Sequence, residues 1–69
     1  MTFIFNNHSI KFTFKNAGTE GDYFVLADGK TIGIVQKIQK NVWDAVDNDG
    51  AFVATRIGTI AGGVRRILG

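Results

Sequence analysis

Alternating apolar and polar residues predict strands in the N-terminal part of the chain. Over residues 9–15 the apolar positions are Ile10, Phe12 and Phe14, and the polar positions between them are Lys11, Thr13 and Lys15. A repeat of two is typical of a strand with one buried face. Residues 2–5 predict a shorter strand, and the Asn6-Asn7-His8 segment predicts the turn between the two. Residues 17–21 contain two glycines and predict a loop.

Two further hairpins follow. Asp28-Gly29 separates the apolar runs 23–27 and 31–39, and this dipeptide favours a two-residue type I′ turn. The turn predicts a register in which Phe24 lies opposite Gly33. A second two-residue turn at Lys40-Asn41 would set Val35 opposite Val46.

These registers predict two faces for the sheet. The predicted core face carries Tyr23, Val25, Ile32, Ile34, Ile38, Trp43 and Ala45. The other face is predicted to carry Phe24, Leu26, Val35 and Val46, with a Lys37–Asp44 pair further along. An apolar patch of this kind needs a cover. Either the N-terminal hairpin folds over it or a partner does.

The C-terminal segment predicts a helix over 59–68, after a turn at 47–50 and a strand over 51–56. Its apolar stripe consists of Ile60, Val64, Ile67 and Leu68. Thr59 is the expected N-cap, and Gly69 follows the end of the helix. The predicted fold class is therefore α+β, an antiparallel meander of five or six strands with one C-terminal helix packed on one face.

Length and composition limit the function. The chain has 69 residues and a mass of 7.5 kDa, which predicts one domain over residues 1–69. Without cysteine there is no thiolate metal site or disulfide, and no cofactor is expected. The apolar runs are far shorter than the ~20 residues that span a bilayer. With no signal-peptide pattern at the N-terminus, a cytoplasmic location is expected.

Catalytic and metal-binding patterns are weak. The chain has one histidine, His8, and one serine, Ser9, and neighbouring residues in a turn rarely form a nucleophile and its base. The segment Asp47-Asn48-Asp49-Gly50 begins like a calcium loop, but Phe52 and Gly58 stand where that loop needs glycine and glutamate. We therefore expect a non-enzymatic protein without a metal site.

Charge is distributed unevenly along the chain. The net charge is only +2, but residues 51–69 hold Arg56, Arg65 and Arg66 and no acidic residue. Residues 41–50 hold three aspartates. A basic segment of this kind either contacts phosphates or forms a solvated face.

The order of elements from Tyr23 onward resembles the sheet-plus-helix domains of the phage integrase arm-binding, AP2-like family. The resemblance rests on Gly33, Val35, Trp43, Ala45, Thr55, Arg56 and the apolar stripe of 64–68. In that family the sheet enters the DNA major groove. The resemblance therefore implies that Lys30, Lys37 and Arg56 contact DNA. The small size of the chain and its lack of proline and cysteine indicate a phage or mobile-element origin.

Two functions follow as hypotheses. The leading one is binding of double-stranded DNA through a sheet face and the basic helix, and its residues are Lys30, Lys37, Arg56, Arg65 and Arg66. The alternative is a protein-binding module, an inhibitor or adaptor, whose interface is Phe24, Leu26, Val35 and Val46. A homodimer through the same patch is one version of the alternative.

Overall fold

The chain folds as one antiparallel sheet backed by a single helix. The computed structural model describes residues 2–5, 7–18 and 21–69, without the side chains of Phe3 and Phe5. The elements are β1 (Thr2–Phe5), β2 (His8–Asn16), β3 (Asp22–Ala27), β4 (Lys30–Gln39), β5 (Val42–Asp47), β6 (Phe52–Ile57) and α1 (Ile60–Leu68). The strands neighbour one another in chain order. The predicted meander with a helix on one face is confirmed, with six strands.

The N-terminal hairpin extends the sheet and does not fold over it. Strand β1 pairs with His8–Lys11, the first half of β2, whereas β3 pairs with Phe12–Asn16. Ile4 in β1 is 77% exposed. The predicted turn over residues 6–8 is too long at its end, because His8 already belongs to β2. Asn6 of that turn lies outside the described residues, as do Thr19 and Glu20 of the predicted loop over 17–21.

Both predicted two-residue hairpin turns are confirmed. Asp28 and Gly29 have φ values of 49° and 87°, and Ala27 pairs with Lys30 across them. The turn at Lys40-Asn41 is flanked by the Gln39–Val42 pair, and Asn41 has φ 60°. At Asp28-Gly29 both residues have the positive φ of a type I′ turn, which matches the twist of the flanking strands, so local chemistry determines that turn.

The predicted pairing of β3 with β4 is wrong beyond the turn by one residue. The register shifts between Val25 and Leu26, so that Val25 pairs with Gly33 and Phe24 with Ile34. Ile32 is the extra residue on β4, and it packs against the core. A bulge adds one residue to one strand and exchanges the faces of every residue beyond it.

The predicted pairing of β4 with β5 is also wrong by one residue. The register shifts between Lys37 and Gln39, which leaves Ile38 as the extra residue, 54% exposed. Val35 consequently pairs with Ala45, and Ile34 pairs with Val46. The predicted Lys37–Asp44 pair does not form, because Lys37 lies opposite Trp43 and Gln36 lies opposite Asp44.

The core lies between the sheet and the helix. Its buried residues are Phe12, Val25, Val35, Ala45, Ala54 and Val64. The predicted stripe of α1 is confirmed, since Ile60, Ile67 and Leu68 pack against this cluster with Val64. Gly63 makes the close approach of the helix, because a Cβ there would lie 3.3 Å from Cγ1 of Val35 and 3.5 Å from Cβ of Ala45. Ile34 and Ile38 are not part of this core, contrary to prediction.

The cap of α1 yields a prediction. The Thr59 hydroxyl accepts a hydrogen bond from the Gly62 N–H at 3.0 Å, and the Gly69 N–H donates to the Arg66 carbonyl at the other end. We expect Thr59→Ala to lower the free energy of unfolding by about 1 kcal/mol, because the Gly62 amide loses its acceptor. Urea unfolding measures the change. Thr59→Ser keeps the hydroxyl and should stay close to wild type, and equal losses in the two variants would contradict the capping role.

Candidate functional site

The sheet face opposite the helix carries a continuous apolar row. Phe24 pairs with Ile34, Ile34 with Val46, and Val46 with Phe52, so the row crosses four adjacent strands. At about 4.8 Å between strands it is roughly 14 Å long. Leu26 lies on the same face, two residues from Phe24. None of these five residues is in the core cluster or packs against it. We call this surface the open face.

The open face has a charged border on two sides. Lys15 extends the apolar row at β2, since it pairs with Phe24. Asp22, Gln36 and Asp44 form the adjoining row. Phe52 is 61% exposed, whereas Val46 is only 8% exposed. A cluster that is apolar at its centre and charged at its border is the usual composition of a protein-binding surface.

The predicted protein interface is partly misplaced. Phe24, Leu26 and Val46 lie on the open face, but Val35 is completely buried beneath the helix. Its placement in the interface is wrong, and the reason is the pair of one-residue shifts at Ile32 and Ile38. The residues that sequence reasoning missed are Ile34 and Phe52. The sequence signal for Phe52 was its place as an apolar residue shortly after the 47–50 turn, whereas nothing local signalled Ile34.

The predicted DNA-contacting residues are spread over the molecule. Lys30 lies at the tip of the β3–β4 hairpin, and Lys37 lies seven residues further along β4, about 23 Å away in an extended strand. Lys37 is on the face of the sheet that carries Val35, which is not the open face. The arginines lie elsewhere: Arg56 is in the edge strand β6, and Arg65 and Arg66 are exposed on α1.

Arg56 occupies a bulge of the edge strand. The β5–β6 register shifts between Trp43 and Ala45, and Arg56 has φ 55°. Its backbone N–H donates to Oδ1 of Asp44 at 3.1 Å. The Asp44 carboxylate therefore stabilises a backbone conformation that is unusual for a residue other than glycine. This brings a negative charge close to Arg56, at the position that the DNA hypothesis needs to be basic.

A groove lies on the helix side of the sheet, next to the helix N-terminus. Its volume is about 640 Å³. The lining includes three aromatic residues, two aliphatic residues and one charged residue: Phe14, Tyr23, Trp43, Ile38, Ile60 and Lys37. The Tyr23 and Trp43 ring centroids are 6.3 Å apart, with a 40° angle between the planes. The helix packs on β4, β5 and β6 and leaves this part of β2 and β3 uncovered. Sequence reasoning assigned Tyr23 and Trp43 to the core.

The residues considered for chemistry are not assembled into a site. His8 and Ser9 are consecutive, exposed residues of β2, and their side chains lie on opposite faces of the strand. The Asp47 carboxylate accepts hydrogen bonds from the N–H groups of Asp49 and Ala51, which confirms the predicted turn at 47–50. Within residues 2–5, 7–18 and 21–69, no three His, Cys, Asp or Glu side chains are grouped as metal ligands.

The architecture places the chain among small α+β meanders with a single packed helix. Comparison with protein-family models, with curated proteins and with solved structures found no match to this chain. The resemblance to integrase arm-binding domains therefore stays a prediction. Among the described residues, no helix has the length and apolar character needed to cross a membrane.

Proposed function

We propose that this chain is a non-enzymatic binding domain whose open face docks on a second, different protein. The observation that supports this most directly is the apolar row of Phe24, Ile34, Val46 and Phe52 on the face opposite the helix. Among the residues that the structure describes no polar side chain is buried, and Phe52 presents a largely exposed ring. Phe52 lies at the β6 end of the row, and aromatic side chains are among those that contribute most to the affinity of protein interfaces.

The charges around the row favour a different protein over a second copy of this chain. Asp22 and Asp44 lie on either side of Gln36, at equal distances from β4. Two copies stacked face to face about a two-fold axis that runs along β4 would set Asp22 over Asp44. An axis along the apolar row would set Lys15 over Lys15. Like charges across an interface cost several kcal/mol, so the partner should carry a basic group facing the aspartates and an acidic group facing Lys15.

The same arrangement gives less support to DNA on the open face. Asp22 and Asp44 border it, and Lys30, Lys37 and Arg56 are not gathered there. Phosphate contacts need several cations on one surface. Arg65 and Arg66 on the exposed side of α1 are the observation that favours DNA, and they would act through the helix.

We propose a cytoplasmic location in keeping with a chain that has no cysteine.

Site-directed photo-cross-linking tests the protein-binding proposal. A benzophenone side chain at position 52, introduced in cells that produce the chain, should form one discrete cross-linked protein product. Leu26→Asp in the same chain should reduce the yield at least about ten-fold, because it introduces a charge at the apolar contact. Circular dichroism of the purified variant checks that it remains folded.

The control uses the opposite side of the molecule. A benzophenone at position 66, on the exposed side of α1, should not form the same product. The proposal is wrong if both positions give the same products, or if Leu26→Asp leaves the yield unchanged. A dimer of this chain as the product would also contradict it.

The DNA hypothesis has its own decisive measurement. Size-exclusion chromatography with light scattering is run with a mixed-sequence duplex at about 50 mM salt and again at about 300 mM. Co-migration that is lost at the higher concentration, and weakened for all sequences by Arg65→Ala with Arg66→Ala, is the result that DNA binding requires. The duplex running separately at low salt would end that hypothesis.

A further inference from the structure

The groove beside the helix N-terminus has the composition of a small-molecule site. Its volume of about 640 Å³ lies within the roughly 300–1,000 Å³ of typical ligand pockets. Phe14, Tyr23 and Trp43 provide flat apolar walls. All three are half-buried, so part of each ring contacts the core and part faces the groove. Such walls accept an aromatic ring in stacked or tilted contact.

Lys37 is the one charged residue among those that line the groove. Its aliphatic stem lies against Gly21, where an added Cβ would be 3.0 Å from the Lys37 Cβ and 3.5 Å from its Cδ. The Lys37 N–H also donates to the Gly21 carbonyl at 2.9 Å. Gly21 has φ +87°, which other residues rarely adopt. This glycine therefore allows the lysine stem to pack closely at the wall of the groove.

We infer that this groove binds a small aromatic carboxylate, with the ring lying against the aromatic walls and the carboxylate near the Lys37 ammonium. The apolar lining selects a flat ring, and a single lysine at the wall selects one negative charge. The groove lies on the helix side of the sheet, so this inference does not depend on the open face or on the partner proposed for it. A ligand could occupy the groove while the open face is docked.

Trp43 makes the inference directly measurable, because it is the only tryptophan of the chain. Its indole N–H gives a single side-chain resonance in a ¹H–¹⁵N spectrum. The probe is 2-naphthylacetate, titrated to about 5 mM, and the neutral control is 2-naphthylacetamide. We expect a saturable shift of the indole resonance by both compounds. The carboxylate should bind about two- to five-fold more tightly at low salt, the range of an exposed ion pair.

Four variants locate the binding. Lys37→Met keeps an apolar stem and should make the acid and the amide bind equally. Ile38→Asp places a negative charge in the groove at a residue that is already 54% exposed, and it should weaken naphthylacetate at least ten-fold. Ile4→Asp and Phe52→Asp change exposed apolar residues elsewhere and should leave the affinity unchanged. Thermal unfolding of each variant confirms that it is folded.

Each result supports or overturns the inference. A saturable shift with preference for the acid, lost in Lys37→Met and reduced in Ile38→Asp, supports it. No saturation by about 5 mM overturns the site. An acid preference that survives Lys37→Met overturns the assignment of an anionic ligand. If Phe52→Asp abolishes binding while Ile38→Asp does not, the compound binds the open face and the groove is not the site.

Discussion

Val35→Asp should prevent the domain from folding. Val35 is completely buried between the sheet and the helix. Its side chain lies next to Gly63, where α1 comes close to the sheet. An unpaired carboxylate there loses its hydration and replaces apolar contacts, which costs about 3–5 kcal/mol or more. A chain of 69 residues has about 3–10 kcal/mol of stability in total. We expect the near-ultraviolet circular dichroism signal to be lost and the ¹H–¹⁵N spectrum to be poorly dispersed at 25 °C.

Ile34→Asp is the matched control, one residue away on the same strand. Ile34 pairs with Phe24 and Val46 on the open face, where water can still reach a carboxylate. We expect a folded protein that has lost about 1 kcal/mol. The alternation predicted from sequence alone, with Ile34 in the core and Val35 outside, requires the reverse order of stabilities. Urea unfolding of the two variants therefore tests the bulges of β4 as well as the core.

Phe12→Ala should be the most destabilising apolar truncation that leaves no charge behind. The Phe12 side chain is 1% exposed and is the largest fully buried side chain among the residues that the structure describes. Removing a buried ring loses its transfer free energy and leaves a cavity, at a combined cost of about 3–5 kcal/mol. We expect the midpoint of urea unfolding to fall sharply, with part of the population unfolded in the absence of urea.

Phe52→Ala provides the comparison for the same residue type. Phe52 is 61% exposed on the open face, and its truncation should change the free energy of unfolding by about 0.5–1 kcal/mol. If the open face is an interface, Phe52→Ala should weaken binding much more than it weakens folding. Similar losses of stability for the two phenylalanines would show that the open face is covered from within the molecule.

Elements that depend on local chemistry could be predicted from the sequence. Asp28-Gly29 and Lys40-Asn41 form turns because Asp28, Gly29 and Asn41 tolerate positive φ, whatever the rest of the chain does. Thr59 caps α1, and Gly69 ends it, through contacts within one turn of helix. The strand bounds were predicted to within one or two residues for the same reason.

The faces of β4 could not be predicted in this way. A strand pattern such as Ile32-Gly33-Ile34-Val35 is apolar on both sides, so alternation does not say which side is buried. The choice is made by the helix, which packs closely over Val35 through Gly63 and over Gly33 through Ile67. A methyl group on Gly33 would overlap the Val46 carbonyl oxygen, so this position is limited by its neighbour strand.

The sequence by itself determined the α+β class, the order of the elements, the turns, the capped helix and the presence of an apolar patch around Phe24, Leu26 and Val46. Those properties arise from neighbours in the chain and from the period of the apolar residues. Only the tertiary structure decided that Ile34 and Phe52 complete the open face and that Lys37 lies at a groove with Trp43. The physical reason is that a single extra residue in a strand exchanges its faces, and whether it is inserted depends on packing against the helix and the next strand.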